Sequence, residues 1–426
     1  MLDIKRLRAE PEAARVALAR RGDPDLVALM DRALELDETR RELIGEVEAL
    51  KQRRNEASKA VGERKRKGED AGDLINEMQG VVERIRELDA RLSEVDGDLE
   101  TVLLDVPNLP DPRLPEGGAE AFEVVSEWGD RPPPSAALRP HWDVGVELGI
   151  LDFERGAKLA GSGFPLFVGD GARLVRALIQ FMLDLHTREH GYTEVAPPFV
   201  ANRASMTATG QLPKFEEDMY RTDPDDLFLI PTAEVPVTNV YRDEALDGED
   251  LPVALTAYTP CFRREAGAAG RDTRGLLRVH QFDKVELVRL TTPDRSNEEL
   301  ELLTGHAERV LQLLEIPYRK ILLATGDLGF SNAITYDLEA WAGGVGEWLE
   351  VSSCSCFTDY QARRLGLRFR PSPGQPLEFV HTLNGSGVAL PRTIIAILEN
   401  GQREDGSVRL PAALHSYFGG ELIEAS

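Results

Sequence analysis

The 426-residue sequence predicts an α+β protein in which a long antiparallel coiled-coil hairpin precedes a domain built on a mainly antiparallel β-sheet flanked by helices. Three observations predict it. Apolar residues recur in alternating steps of three and four through the first hundred positions, and a proline- and glycine-rich stretch follows them. Beyond about residue 140, short strand-like runs mix with helical patterns without a regular strand–helix–strand beat.

The hairpin rests on two seams. Leu26, Leu29, Ala33, Leu36, Leu43, Val47, Leu50, Ala57 and Val61 form the first, with Arg40 and Arg54 at seam positions. Leu74, Met78, Val81, Ile85, Leu88, Leu92, Val95, Leu99 and Val102 form the second. Joined by the glycine-bearing segment KRKGEDAGD, they predict two helices over residues 26–103 of an arm domain at 1–104, paired within one chain because the turn is short. Each helix, about 35 to 40 residues at 1.5 Å per residue, would reach about 50 to 60 Å.

Eight basic residues gather at the far tip: Lys51, Arg53, Arg54, Lys59, Arg64, Lys65, Arg66 and Lys67, opposed by Glu56 and Glu63. The chain as a whole carries a formal charge of -24, which argues against coating nucleic acid, DNA included, through bulk charge and leaves only such a local patch for a polyanion. The seam period leaves two readings of the arm open, a grip on RNA and a dimerisation coiled coil.

After Val102 the text changes to DVPNLPDPRLPEGG and then GDRPPPSAALRPHW, whose prolines end the helix and remove backbone donors. Residues 105–139 therefore read as a linker and 140–426 as the main domain. The apolar share, 42%, is ordinary, and no run of about 18 apolar residues spans a bilayer. The first residues lack the apolar core of a secretory signal, so a cytoplasmic location with no membrane partner is expected. Cys261, Cys354 and Cys356 make no disulfide framework, and the alternating Cys354 and Cys356 lack a second ligand pair, so no zinc is expected.

The main domain reads as helices such as ARLVRALIQFMLDLHTREHG among the strands YTEVAPPFV, DDLFLIPT, ALTAYTPCFRRE, LLRVHQFDKVELVRL, EWLEVSSCSC and LEFVHTLNG. It carries neither a phosphate-cradling lysine loop nor a dinucleotide glycine fingerprint, so side chains would have to hold any nucleotide. Several strands put charge where a half-buried sheet should be apolar. Arg263 and Glu265 are two apart, as on one strand face, and His280, Phe282, Lys284 and Glu286 share another. Glu350 and Ser353 fall on opposite parities unless a bend intervenes. A bidentate arginine grips phosphate, an acidic residue holds magnesium against phosphates, an aromatic ring stacks on a base, and a further carboxylate pairs with an ammonium. Together these describe activation of an amino acid by ATP.

The whole chain resembles the bacterial-type seryl-tRNA synthetases of class II. HGYTEVAPP, FRREAGAAGRDTRGLLRVHQF and GSGVALPRTIIAILEN are similar to the three class II motifs. PTAEVPVTN, GDLGFSNAITYDLEAW, EVSSCS and TLNGSG resemble the seryl branch. The resemblance implies a class II catalytic domain at 140–426, a homodimer, and an arm that clasps the long variable arm of serine tRNA, with selenocysteine tRNA as a further acceptor. It implies ATP and magnesium as cofactors and L-serine as substrate. Arg263, Glu350 and Arg392 would be catalytic. Arg263 would meet the α-phosphate, Glu265 the adenine side, and Phe282 would stack on adenine with Arg392 over its other face. Arg264, Val351 and Ser352 would complete the ATP site, and Glu350 and Ser353 would hold magnesium. Glu286 would pair with the serine ammonium. Thr232, Ala233, Glu234, Asn384 and Ser386, with Arg263, would enclose the rest of serine, and Arg271 and Arg274 would meet the tRNA acceptor end. The rivals are a ligase that loads a carrier protein, a class II synthetase for proline, threonine or glycine, and a scaffold with an inactive domain. The basic arm, the PTAEVP and TLNGSG phrases, and the joint presence of Arg263, Glu350 and Arg392 argue against them in turn.

Overall fold

A computed structural model describes residues 1–133, 137–266 and 273–424. Two compact units emerge, one of Met1–Ala19 with Asp23–Pro107 and one of Arg20–Gly22 with the rest of the chain.

The first unit is helical. Short helices α1 (Ile4–Ala9) and α2 (Pro11–Ala19) pack on the long α3 (Asp25–Lys67), which pairs with α4 (Gly72–Asp105). At 43 and 34 residues the long helices reach about 65 and 50 Å. The seams are buried along their root, at Ala33, Leu36, Leu43 and Val47 on α3 and at Val81, Ile85, Leu88, Val95 and Leu99 on α4, whereas Ala57 and Val61 toward the tip are half-buried. Gly68 ends α3 in the left-handed region at φ 75°, its N–H returning to Lys65 O, which a residue with a Cβ adopts only at a cost. One seam neighbour is polar. Asp37 is 1% exposed and accepts hydrogen bonds from Arg8 (2.8 Å) and Arg41 (3.1 Å), which satisfy its buried charge.

The second unit is α+β, as its mixed pattern predicts. Its eight main strands are β1 (Glu123–Trp128), β2 (Thr193–Glu194), β3 (Val253–Phe262), β4 (Gln281–Thr291), β5 (Tyr318–Leu322), β6 (Ile334–Ala342), β7 (Glu347–Cys356) and β8 (His381–Ala389), in the order β1-β5-β6-β7-β8-β4-β3-β2. Every neighbouring pair is antiparallel except β2 with β3. Helices α5 (His141–Glu147), α6 (Phe153–Ala160) and α7 (Asp170–Arg188) precede β2, α8 (Arg203–Ala208) and α9 (Glu234–Thr238) precede β3, α10 (Ser296–Leu313) follows β4, α11 (Tyr360–Leu365) follows β7, and α12 (Leu390–Asn400) follows β8. Helix α7 buries Leu174, Ala177, Leu178, Phe181, Met182 and Leu185 at helical spacing, and α10 buries Leu300, Leu303, Ala307 and Val310. These faces share one apolar core with β4 to β8.

The stretch expected to be a linker, 105–139, departs from that reading. Its residues 123–128 form β1, the edge strand paired with β5, and Asn108 is 3% exposed with its side chain hydrogen-bonded to two backbone carbonyls. Prolines concealed the strand, because they break local pattern on either side without touching the six residues that pair. Among the described residues no helix is long and apolar enough to cross a membrane.

Candidate active site

The charged faces read from the sequence converge on one cleft of about 390 Å³. Its floor is sheet: Phe282, Lys284 and Glu286 from β4, Glu350, Ser353 and Ser355 from β7, and Asn384 and Ser386 from β8. Period-two alternation predicts the β4 set, since side chains two apart leave a strand on one side. His280 lies before the strand begins. It stacks on Phe164 with ring centroids 5.3 Å apart, and its Nδ1 is 3.0 Å from Arg263 O.

A β-bulge resolves the parity conflict on β7. Leu338 of β6 pairs with Ser352 and Glu339 pairs with Glu350, so Val351 is an extra residue and the alternation restarts after it. Glu350 and Ser353 consequently face the same cleft, and Val351, 1% exposed, also lines it.

At the acidic part of the cleft, Thr232 Oγ1 donates to Glu286 Oε2 (2.9 Å) and accepts from Lys284 Nζ (2.8 Å), while Lys284 forms an ion pair with the same Glu286 oxygen. Gln361 Nε2 donates to Glu234 Oε1 at 2.6 Å. Burial and then the charge of Glu286 push the Glu234 carboxyl up to about 7, against the pull of Gln361, Lys284 and Asn384. Register places Ser386 directly opposite Glu286.

The cationic part is built from two chain reversals. Strand β3 ends at Phe262, and Glu265 lies in the left-handed region at φ 52°, so Arg263 and Glu265 reach the cleft from a turn and not by strand parity. The Arg263 guanidinium lies over the Phe282 ring, 5.2 Å from its centroid, and Glu265 pairs with Arg278. Arg392 enters in the first turn of α12, where the helix dipole disfavours a cation, and is held by Glu350 O (2.8 Å) and Leu277 O (3.3 Å), with Glu350 Oε2 at 3.7 Å.

Four expected site residues stand elsewhere. The Arg264 side chain donates outward to Glu217 O at 3.0 Å, because its neighbours already turn inward. Ser352 is 1% exposed and donates to Ser386 O at 2.6 Å, on the side of β7 away from the cleft. Ala233 is fully buried in an apolar cluster behind α9. Arg274 lies 4.4 Å from the Trp142 ring centroid, beside a second pocket. Arg271 lies outside the described residues.

Lys284, Arg278, Gln361 and Asn332 line or brace the cleft without having been assigned roles. Strand parity placed Lys284 on the right face; the others come from loops and a helix, where sequence carries no such signal. For a hard cation the fit is favourable. Glu350 offers a half-exposed carboxylate and Ser353 a hydroxyl, and Asp337, register-paired with Ser353, keeps a buried Oδ1 that has no hydrogen-bond partner among the described residues. Two protein oxygens with phosphate oxygens suit magnesium, which seldom uses an all-protein cage.

Comparison with known proteins points the same way. Residues 1–110 match the seryl-tRNA synthetase N-terminal domain, and 214–401 match the tRNA synthetase class II core domain (G, H, P, S and T). The chain is 56% identical to the serine–tRNA ligase of Gemmatimonas aurantiaca over 99% of its own length and 100% of that protein's. It is 51% identical to that of Clostridium tetani over the same shares. The crystal structure of seryl-tRNA synthetase from Pyrococcus horikoshii complexed with ATP superposes with a TM-score of 0.95, 38% identity and full coverage of both chains.

Proposed function

The chain belongs to the seryl-tRNA synthetase family, enzymes that join serine to tRNA with ATP, and from that premise we propose how its residues divide the work. Serine binds at the acidic part of the cleft and the nucleotide at the cationic part. The observation that carries this division is on Glu286: both Thr232 and Lys284 contact its Oε2, and Lys284 itself shows that the carboxylate accepts an ammonium, so Oε1 is the acceptor for the substrate amine. Thr232, Glu234, Asn384 and Ser386 then surround the serine hydroxyl. A site furnished to bond a hydroxyl rejects alanine by leaving its own polar groups unpaired, whereas threonine is excluded only by one added methyl, worth about 1–3 kcal/mol.

Phe282 stacks on adenine with Arg392 over the other face, and Glu265 marks the adenine side. Arg263 grips the α-phosphate. The serine carboxylate is already ionised at neutral pH, so it attacks the α-phosphorus in line without a general base, and pyrophosphate leaves. Arg263 stabilises the charge that develops on the phosphoryl oxygens. Glu350 and Ser353 would hold magnesium, which would supply charge neutralisation at the phosphates. The terminal hydroxyl of tRNA, guided by Arg271 and Arg274, then attacks the seryl-adenylate carbonyl and AMP leaves. The arm tip at Lys51–Lys67 grips the tRNA. The family reading also makes the protein a cytoplasmic homodimer that charges serine tRNA and selenocysteine tRNA.

The test is exchange of pyrophosphate into ATP with serine, threonine, alanine, glycine and proline in parallel. Exchange with serine alone, lost in Arg263→Ala, supports the reading; equal exchange with threonine removes the proposed pocket.

A further inference from the structure

The segment 328–332, within GDLGFSNAITYDLEAW, gives the cleft four consecutive lining residues, Gly329 to Asn332. All five of its backbone carbonyls are occupied by two residues remote in sequence. Arg21 donates to Leu328 O (3.2 Å) and Gly329 O (3.3 Å) through Nη1 and to Asn332 O (2.7 Å) through Nη2. Asn108 donates to Phe330 O through its backbone N–H (3.0 Å) and to Ser331 O through Nδ2 (3.0 Å). The two clamp residues are themselves joined, since Arg21 Nε donates to Asn108 O at 2.9 Å. Asn108 Nδ2 also reaches Phe357 O at 2.8 Å, and Phe357 lines the same cleft.

The clamped segment continues into the acidic part of the cleft. Ser331 Oγ donates to Thr209 O (3.3 Å), the carbonyl that also accepts from Gln361 Nε2 (3.2 Å), and Gln361 in turn holds Glu234. Asn332 Nδ2 donates to Ser355 Oγ (2.8 Å) on the floor. Gly210 makes this approach possible, because a Cβ there, at φ 90°, would sit 2.1 Å from Ser331 Oγ. Arg20–Gly22 belong to the same compact unit as Asn108 and the segment 328–332, so the clamp lies within one unit.

We infer that Arg21, with Asn108, is a positioning residue for the amino-acid end of the cleft, fixing the wall 328–332 and through Ser331 and Gln361 the place of Glu234. Assigning that end to serine rests on the proposed function. A planar guanidinium spans three carbonyls and a fourth behind them, which a lysine ammonium on a free stem does not reproduce. Burial lowers the Arg21 pKa to about 10, so the fork remains cationic at neutral pH and its bonds to the carbonyl oxygens are charge-assisted.

The experiment measures serine-dependent pyrophosphate exchange without tRNA, in the full chain, for Arg21→Ala, Arg21→Lys and Asn108→Ala. The expected result is a serine KM raised about tenfold or more with the ATP KM within about twofold, little recovery in Arg21→Lys, and partial recovery of Arg21→Ala by added guanidinium ion. If Arg21→Ala does not fold, the other two variants carry the same expectation. Unchanged serine KM in folded variants, or equal rises for serine and ATP, overturns the inference and leaves the functional reading intact. Wild-type protein without serine-dependent exchange overturns both.

Discussion

His141 donates its Nδ1 proton to Glu399 Oε1 at 2.8 Å and accepts the backbone N–H of Leu276 on Nε2 at 2.9 Å, with both side chains fully buried. The N–H donor at Nε2 fixes the tautomer. Glu399 also accepts from Gly344 and Val345 N–H, and Leu276 and Leu277 line the cleft, with Leu277 O holding Arg392. Replacing His141 by Phe leaves the buried Leu276 N–H unsatisfied and Glu399 Oε1 with only the backbone N–H of residue 141, at 2.9 Å. The expected loss is about 1–3 kcal/mol in urea unfolding, with a raised ATP KM. An ATP KM equal to wild type would detach this pair from the nucleotide end.

Glu234 makes stability depend on pH. Its folded pKa, about 7, lies above the ordinary 4.5, so between those values the folded state holds a proton that the unfolded state has lost, and stability falls as pH rises through that window. Glu234→Gln removes the dependence. The wild type should lose about 3 kcal/mol relative to the variant between pH 4.5 and pH 7, read from unfolding midpoints. Parallel pH profiles for the two proteins would contradict the assignment.

The Lys284–Glu286 ion pair, 7% and 1% exposed at its side chains, is a coupled unit. Glu286→Ala strands a buried ammonium and should cost about 3–5 kcal/mol, whereas the double variant Lys284→Met, Glu286→Ala should recover most of it. Denaturant unfolding of both single variants and the double variant measures the coupling; additive losses would show the two to be independent.

Arm-tip charge should matter for tRNA and for nothing else. Lys59, Arg64, Lys65, Arg66 and Lys67 are exposed, whereas Lys51 and Arg53 are engaged by Asp89 and Glu77 across the hairpin. Reversing Lys65, Arg66 and Lys67 to Glu should lower kcat/KM for tRNA about tenfold or more and flatten its salt dependence. Pyrophosphate exchange should stay at the wild-type rate. A tRNA affinity unmoved by the reversal would return the arm to the dimerisation reading.

Chelation of magnesium should abolish exchange and re-addition restore it. Glu350→Gln should raise the magnesium needed for half-maximal exchange about tenfold, the worth of one charged hydrogen-bonding group at about 1.5–3 kcal/mol. Ser353→Ala should act in the same direction and less. Identical magnesium titrations would place the cation elsewhere.

How much was legible from sequence differs between parts of the chain. The two arm helices were readable because an a/d seam repeats locally, and the β4 set Phe282, Lys284 and Glu286 was readable because strand alternation needs only neighbouring positions. Glu350 and Ser353 were readable by type but not by parity, since the bulge at Val351 depends on how β7 meets β6. Strand β1 and Asn108 went unread inside a proline-rich stretch, and Arg21 carried no signal at all.

The sequence by itself determined the coiled-coil arm, the antiparallel character of the main domain and the chemical types gathered for ATP and an amino acid, because periodicity and residue type act over a few residues. Only the tertiary structure decided that Glu286 is shared by Thr232 and Lys284, that Glu265 turns to Arg278, and that Arg21 and Asn108 hold the wall 328–332. Those partners are separated by up to some three hundred positions in the chain. Hydrogen-bond satisfaction over such distances is set by which surfaces pack together, and no local pattern records it.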